Sequence, residues 1–363
     1  MNKMPHWPPR LQPGDTIGIV APASAPPDPK NIDRGAAALE GLGFKVKFAP
    51  NVRKRHGFLA GSDRDRASDL MRMFSDRCVN AILCVRGGYG AARLLPLLDY
   101  RTIRAKAKIF VGYSDITSLH CALLTKANLI SFHGPMLNSD FAKPTMPKFT
   151  VHSFLRTLSA CSRSEDRARH LLRAGTRVAH PERRAPAAAA GRDGATARRE
   201  REPGGQSDAQ CLTSISQGYR CNSVQIVRPG LASGQLIGGN LTLLCNTIGT
   251  PWQPPFRGRI LFLEDLGEEP YRFDRMLTYL LNCGLLQQVT GIAFGINKDC
   301  QDPKAKRTQE YRQTLEDVFR ERLLPLRVPM VMGLPFGHVP HNATLPFGGE
   351  VMLDANAGDL ILM

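Results

Sequence analysis

The sequence predicts an α/β protein with two domains: an N-terminal parallel-sheet sandwich that carries Ser114 at a strand-to-helix turn, and a second α/β domain at the C-terminus. Three observations lead there. Over residues 1–160, short β-type runs alternate with amphipathic stretches, as parallel strands with helices on both faces require. From about Val224 the same alternation resumes. Between them the texture breaks, because positions 161–210 hold eleven arginines, no lysine and an alanine run at 187–190 with almost no regular period. Such a stretch reads as a solvated linker or insertion. The expected divisions are therefore 1–160, 161–223 and 224–363.

Thr16 to Ala21 is the first expected strand, followed by a helix from Asn31 to Leu42 that Gly43 ends. Phe44 to Phe48 is the second strand. Ser62, with Asp65 three residues on, caps a helix running to about Phe74, whose apolar face includes Leu70, Met71 and Phe74. Strands at Ala81–Val85, Ile109–Gly112 and Leu129–Phe132 then alternate with helices at Ala91–Leu98 and Ile116–Leu124. In the C-terminal part, Gly234–Asn240 leads into a helix at Leu241–Asn246. Strands at Arg259–Leu263, Val289–Phe294 and Val328–Met332 alternate with helices at Tyr271–Cys283 and Thr308–Leu323. Val351 to Leu362 reads as a hairpin turning at Asn356–Gly358.

A chain of 363 residues exceeds the size, roughly 250–300 residues, beyond which a single core seldom grows, and this supports two domains. The formal charge of +16 invites nucleic acid as a partner, but the lysines and arginines are scattered and no basic stripe is interleaved with aromatics. A solvated basic surface that draws in an anionic ligand is the simpler reading, with no nucleic acid. Nine cysteines, an odd number with no CxxC pair, suggest neither a zinc cage nor a disulfide framework. The first ten residues lack the apolar core of a secretory signal, and no later run reaches the roughly 18 apolar residues of a membrane span. A reducing, cytoplasmic setting without a membrane partner is expected.

Chemistry concentrates in four segments. Lys108-Ile-Phe-Val-Gly-Tyr-Ser-Asp-Ile-Thr117 has the layout of a nucleophile elbow, with Gly112 two residues before Ser114, although Ile116 replaces the second glycine of that motif. A plain helix cap by Ser114 is the bland alternative. Arg86-Gly-Gly-Tyr-Gly90 follows a strand, so its N–H groups are free to meet an anion: a phosphate, or an oxyanion held by the N–H groups of Gly88 and Asp115. A simple tight turn is equally compatible with that glycine content. Glu264 ends an apolar strand, where a carboxylate invites an imidazole partner. A metal role for Glu264, Asp265 and Glu268 lacks a neighbouring histidine cluster. In Gly333-Leu-Pro-Phe-Gly-His-Val-Pro-His-Asn342, His338 is the better placed base, being closer to the strand end. His120 and His133 flank the Ser114 segment and are candidates to line its pocket. Ser114, Glu264 and His338 follow the chain order nucleophile, acid, base of α/β-hydrolases.

Taken in order, Gly14-Asp-Thr-Ile-Gly-Ile-Val-Ala-Pro-Ala-Ser24, Arg86-Gly-Gly-Tyr-Gly90, Gly112-Tyr-Ser-Asp115, Gly238-Gly-Asn240, Leu263-Glu-Asp-Leu-Gly-Glu268 and Gly337-His338 resemble the LD-carboxypeptidase family. The resemblance covers nearly the whole chain; only about Cys161 to Gln210 matches nothing in it. It implies a Ser114–Glu264–His338 triad with Gly88 and Asp115 N–H groups as the oxyanion hole, an N-terminal domain bearing the nucleophile and a C-terminal one bearing acid and base. It further implies a homodimer, no metal and no cofactor. The reaction it implies is removal of the terminal D-alanine from murein tetrapeptides, at the bond that follows the L-configured centre of the diamino acid, in cell-wall recycling. Another branch of the family hydrolyses peptide-nucleotide antibiotics and confers immunity, and a noncatalytic anion-binding protein is the reading of a different class. An exopeptidase must also grip a free carboxylate, for which Arg86 is the first candidate. Tyr89 and Asn240 are further substrate-binding candidates.

Overall fold

The computed structural model of the protein describes residues 4–159, 213–215, 224–301 and 313–363. Apart from 213–215, the linker or insertion expected at 161–223 lies outside the described residues, as does the start of the helix expected at Thr308.

The N-terminal half runs β1 (Thr16–Val20), α1 (Lys30–Gly41), β2 (Lys45–Phe48), α2 (Asp63–Ser75), β3 (Ala81–Cys84), α3 (Tyr100–Ala105), β4 (Ile109–Gly112), α4 (Thr117–Ala122), β5 (Ser131–His133) and α5 (Lys148–Ser159). The C-terminal half runs β6 (Thr213–Ser214), β7 (Gln225–Arg228), β8 (Leu231–Asn240), α6 (Leu241–Cys245), β9 (Arg259–Glu264), α7 (Pro270–Asn282), β10 (Gly291–Gly295), α8 (Leu315–Leu323), β11 (Met330–Leu334), β12 (Leu345–Phe347), β13 (Glu350–Asp354) and β14 (Asp359–Leu362).

Two sheets result, in the two-domain α/β architecture. The first has the order β12-β5-β4-β3-β1-β2 and is parallel except for β12, which pairs antiparallel to β5. The second has the order β6-β14-β13-β8-β9-β10-β11-β7, with β8 to β11 parallel at its centre. The strands β3 (AILC) and β4 (IFVG) are buried throughout, as a parallel sheet covered on both faces demands of its central strands. Because β12 belongs in sequence to the C-terminal half but hydrogen-bonds to β5, the chain stitches the two halves together just beyond His338.

Several elements depart from expectation for identifiable reasons. Ala91–Leu98 is not an α-helix but a 3₁₀ stretch, Ala91–Leu97, because Pro96 cannot supply the N–H that an α-helix needs. The unexpected α3 follows, capped by Asp99, whose carboxylate accepts from the N–H groups of Arg101 and Thr102. α5 was also unexpected. Gly234–Asn240, given no element of its own in the sequence reading, is the inner part of a ten-residue strand. In the described part of the expected helix, α8 starts at Leu315, where Thr314 and Asp317 form a reciprocal capping box at its N-terminus. Within α2 the methionine that is fully buried is Met73, while Met71 packs at the core's margin. Among the described residues no helix is long and apolar enough to cross a membrane.

Candidate active site

Ser114 stands where β4 turns into α4. Its φ is +63°, a left-handed conformation that costs a non-glycine residue about 1–2 kcal/mol and persists only where the surroundings enforce it. The turn begins as a 3₁₀ segment, Ser114–Ile116, whose first hydrogen bond runs from Ile116 N–H to the Tyr113 carbonyl at 3.3 Å. The Asp115 N–H precedes that bond, so it has no partner within the turn and can donate to an incoming group.

Beneath the turn lies His120. Its Nε2 is 2.8 Å from the Gly112 carbonyl and its Nδ1 is 2.8 Å from Ser131 Oγ. A carbonyl only accepts, so Nε2 carries the proton and Nδ1 accepts from the serine hydroxyl. Burial pushes the His120 pKa down to about 4, which keeps the ring neutral. His133 is equally buried, 5.2 Å from the Phe262 ring and 5.8 Å from Tyr113. Neither histidine lines the cavity at Ser114, contrary to expectation, since both side chains are consumed in the core under it.

The glycine turn packs directly on this elbow. A Cβ placed on Gly87 would lie 3.0 Å from Ser114 Oγ and 3.1 Å from the Asp115 nitrogen, so only glycine fits there. Gly88 follows with φ +106°, pressed against Ser24, whose Oγ accepts from the Tyr89 N–H at 3.1 Å. The buried carboxylate of Asp115 accepts from Ala91 N–H at 2.8 Å and ties the end of the glycine turn to the elbow. From behind, the buried guanidinium of Arg66 donates to the carbonyls of Pro22 and Gly90 and pairs with Asp63. Sequence reasoning missed Gly87, which is indistinguishable from its neighbour without the fold, and Arg66, whose only signal was an arginine on the inner face of α2.

The other two candidates come from the second sheet. Glu264 ends β9 with its side chain fully buried, and its Oε2 is 2.7 Å from His338 Nδ1. Burial pushes the His338 imidazole down, but the charge and hydrogen bond of Glu264, helped by Asp265 and Asp140, outweigh it, so its pKa lies above the ordinary value. The Tyr113 ring meets His338 edge-on with centroids 5.0 Å apart. The loop bearing His338 is held by the N-terminal half: Asn342 Oδ1 accepts from Gly337 N–H at 3.2 Å, and Asn342 N–H donates to Thr150 Oγ1 of α5 at 2.9 Å. A second tie runs from Asn240 N–H to Thr117 Oγ1, 3.1 Å, joining the end of β8 to the helix behind Ser114.

A cavity of about 290 Å³ brings most of the expected residues together, with Ser114, His338, Arg86, Gly88 and Asn240 in its lining. Glu264 sits behind His338. Tyr89 does not line the cavity; it is exposed and stacks edge-on against Phe58 at 5.5 Å. The Asn240 amide reaches the lining but is engaged on both sides, donating to Asp265 Oδ1 at 2.7 Å and accepting from Leu243 N–H at 3.1 Å as the cap of α6. Arg86 touches the Ala25 carbonyl at 3.5 Å, and among the described residues no carboxylate pairs with it. A strained serine, an imidazole oriented by a buried carboxylate, and a glycine turn packed against the serine make a set suited to acyl transfer.

Both halves of the chain are similar to known proteins. The model of the LD-carboxypeptidase N-terminal domain matches residues 17–134, and that of the LD-carboxypeptidase C-terminal domain matches residues 233–353. The chain is 34% identical over 349 residues to a probable murein peptide carboxypeptidase of Bacillus subtilis, covering 96% of this chain and 92% of that protein. Its fold is similar to the crystal structure of muramoyltetrapeptide carboxypeptidase from Oxalobacter formigenes, with a TM-score of 0.72 and 28% identity over 96% of this chain and 97% of the other. It is similar as well to the microcin C7 self-immunity protein MccF in complex with glutamyl sulfamoyl guanosine, with a TM-score of 0.75 and 25% identity over 99% and 98% of the two chains. With both domain models matched in order across its two sheets, the chain belongs to the LD-carboxypeptidase family of peptidases.

Proposed function

We propose that this protein is a serine carboxypeptidase that releases the terminal D-alanine of murein tetrapeptides by cutting the L,D bond after the diamino acid. The observation that carries the reading is the left-handed Ser114 sharing one cavity with His338, whose Nδ1 is 2.7 Å from the buried Glu264. Similarity to murein peptide carboxypeptidases supports the substrate class.

In this mechanism His338 Nε2 takes the Ser114 proton as the hydroxyl attacks the carbonyl of the diamino acid, while Glu264 holds the Nδ1–H and stabilises the imidazolium. The N–H groups of Gly88 and Asp115 receive the tetrahedral oxyanion. Collapse breaks the C–N bond, and His338 returns the proton to the amine of departing D-alanine. Water, deprotonated by the same imidazole, then frees the acyl group from Ser114. Arg86 grips the carboxylate of the leaving D-alanine, and cell-wall recycling in the cytoplasm by a homodimer completes the proposal.

The likeness to MccF favours a second reading, hydrolysis of an acidic aminoacyl nucleotide. Assaying the purified protein on a murein tetrapeptide and on an aminoacyl sulfamoyl nucleotide separates the two. D-alanine release from the first with little turnover of the second supports the proposal; the reverse preference overturns it.

A further inference from the structure

His338 rides on the stretch of chain that crosses from one sheet to the other. β11, in the second sheet, ends at Leu334, and β12, in the first, begins at Leu345. The loop between them is closed across its base by Ala343 N–H, which donates to the Pro335 carbonyl at 2.7 Å, and nearer its tip by Gly337 N–H on Asn342 Oδ1 at 3.2 Å. It is a small, braced turn with two limbs.

The limbs are anchored to different sheets. The incoming limb belongs to the second: Ile296 N–H, just past β10, donates to the Phe336 carbonyl at 3.2 Å, and Gly337 packs so closely on Glu264 that a Cβ there would lie 3.0 Å from Oε2. The outgoing limb is held by α5. Thr150, Ser153 and Thr157, three and four positions apart, make one buried hydroxyl face of that helix. Thr150 Oγ1 donates to the Pro340 carbonyl at 2.7 Å and accepts from Asn342 N–H at 2.9 Å. Ser153 Oγ accepts from Thr344 N–H at 2.9 Å, and Thr157 Oγ1 donates to the Thr344 carbonyl at 3.2 Å. A helical threonine commonly turns its hydroxyl back on its own helix; Thr150 donates instead to a segment 190 residues away.

We infer that Thr150 is a positioning residue for the base: its hydroxyl sets how far the His338 imidazole reaches toward Ser114. Thr150 does not line the cavity, so it acts through the loop and not on the substrate. The inference rests on the reading of Ser114 as nucleophile and His338 as its base, and adds what aligns them across the two sheets. Glu264 and the incoming limb share the second sheet, so their pairing does not need α5. Ser114 follows β4 of the first sheet, so its distance from the imidazole depends on the outgoing limb. A misplacement of about 1 Å there is enough to slow the reaction by about 100-fold.

Inactivation by a fluorophosphonate tests this, because it needs nucleophile and base but no peptide recognition. The Ser114 Oγ–P bond forms as P–F breaks, the hydroxyl proton passes to His338 and fluoride leaves. Thr150→Val keeps the side-chain shape without the hydroxyl, and the inactivation rate constant is expected to fall by about tenfold or more, with kcat on a murein tetrapeptide falling in step and KM little changed. Thr150→Ser, which keeps the hydroxyl, should restore both. The pH at which inactivation rises should stay in place, since burial lowers the His338 pKa, Glu264 raises it by more, and neither changes in Thr150→Val. A purely structural threonine would lower the melting temperature and leave the rate constant of the folded protein as it was; that result overturns the assignment. A limb that moves to lower pH overturns it too, by making Thr150 a prop of the acid–base pair. Thr150→Ala, which sets no methyl against the Pro340 carbonyl, is read by the same criteria if Thr150→Val does not fold. An unaltered protein whose Ser114 does not react overturns the nucleophile reading itself, and is recognisable because position 150 is then untouched.

Discussion

His338 Nδ1 lies 2.7 Å from Glu264 Oε2, with the carboxylate fully buried and the imidazole still reaching the cavity. A carboxylate cannot donate, so Nδ1 carries the proton and Nε2 is left as the basic atom. Because the His338 pKa lies above its ordinary value of 6.5, kcat/KM should rise with pH through an apparent pKa above 6.5, the base working only when neutral. Glu264→Gln removes the main upward influences and leaves burial to dominate, so the limb should move to lower pH while kcat falls by about 10³- to 10⁴-fold. The linked stability has a definite sign: a raised histidine pKa stabilises the fold below the unfolded value and the gain is lost as pH rises through the folded one. Denaturation of Glu264→Gln should therefore show a larger deficit at pH 6 than at pH 9. A limb unmoved by the substitution contradicts the pairing.

Gly87→Ala is expected to block the site while leaving the fold in place. The added methyl would lie 2.9 Å from Ser114 Cβ and 3.0 Å from its Oγ, and Gly87 is not among the residues with positive φ. Displacing the hydroxyl by a fraction of an ångström should lower kcat/KM by about 100-fold, with a stability loss of about 1–3 kcal/mol from local overpacking. Steady-state kinetics beside thermal melting checks this.

At Gly337 two penalties combine. Its φ is +109°, and a Cβ there would meet Glu264 Oε2 at 3.0 Å. Gly337→Ala should lose about 1–3 kcal/mol of stability and also disturb the acid–base pair. Gly284→Ala is the control, since that glycine has φ +67° with open space around it and does not line the cavity. It should destabilise by about 1–2 kcal/mol without changing kcat.

Arg66→Met should act through the fold. Arg66 is 1% exposed, and its loss strips the donor from the buried carbonyl of Pro22, at about 1–3 kcal/mol for an acceptor left unsatisfied, while the Gly90 carbonyl keeps the Arg93 N–H at 3.3 Å. Asp63 keeps Arg93 at 2.8 Å. Urea denaturation measures the loss, and a raised KM is expected as the turn that carries Arg86 loosens.

Much of this was legible because it is local. The elbow at Ser114, the Ser62 cap and the C-terminal hairpin are each specified by a few adjacent residues, and the structure has all three. What escaped depends on packing between distant segments. α5, KFTVHSFLRTLS, is rich in β-branched and aromatic residues that favour a helix only weakly, yet it forms one by burying Phe154 and Leu158 and by holding Asn342 and Thr344 with Thr150 and Ser153. His120 and His133 look like pocket residues by position along the chain, and only the stacking of the sheets shows them buried. Arg86 and Asn240 both stand as substrate-binding candidates in the sequence, but only the structure shows that the Asp265 carboxylate engages Asn240, while among the described residues no carboxylate pairs with Arg86.

The central claim is that Ser114 is the atom-bearing nucleophile of an L,D-carboxypeptidase, and D-alanine release from a murein tetrapeptide by Ser114→Ala tests it most directly. Serine to alanine removes only the hydroxyl, so the variant should melt near the unaltered protein, while release of D-alanine falls by at least about 10⁴-fold. Turnover retained within tenfold by a folded Ser114→Ala protein would contradict the account.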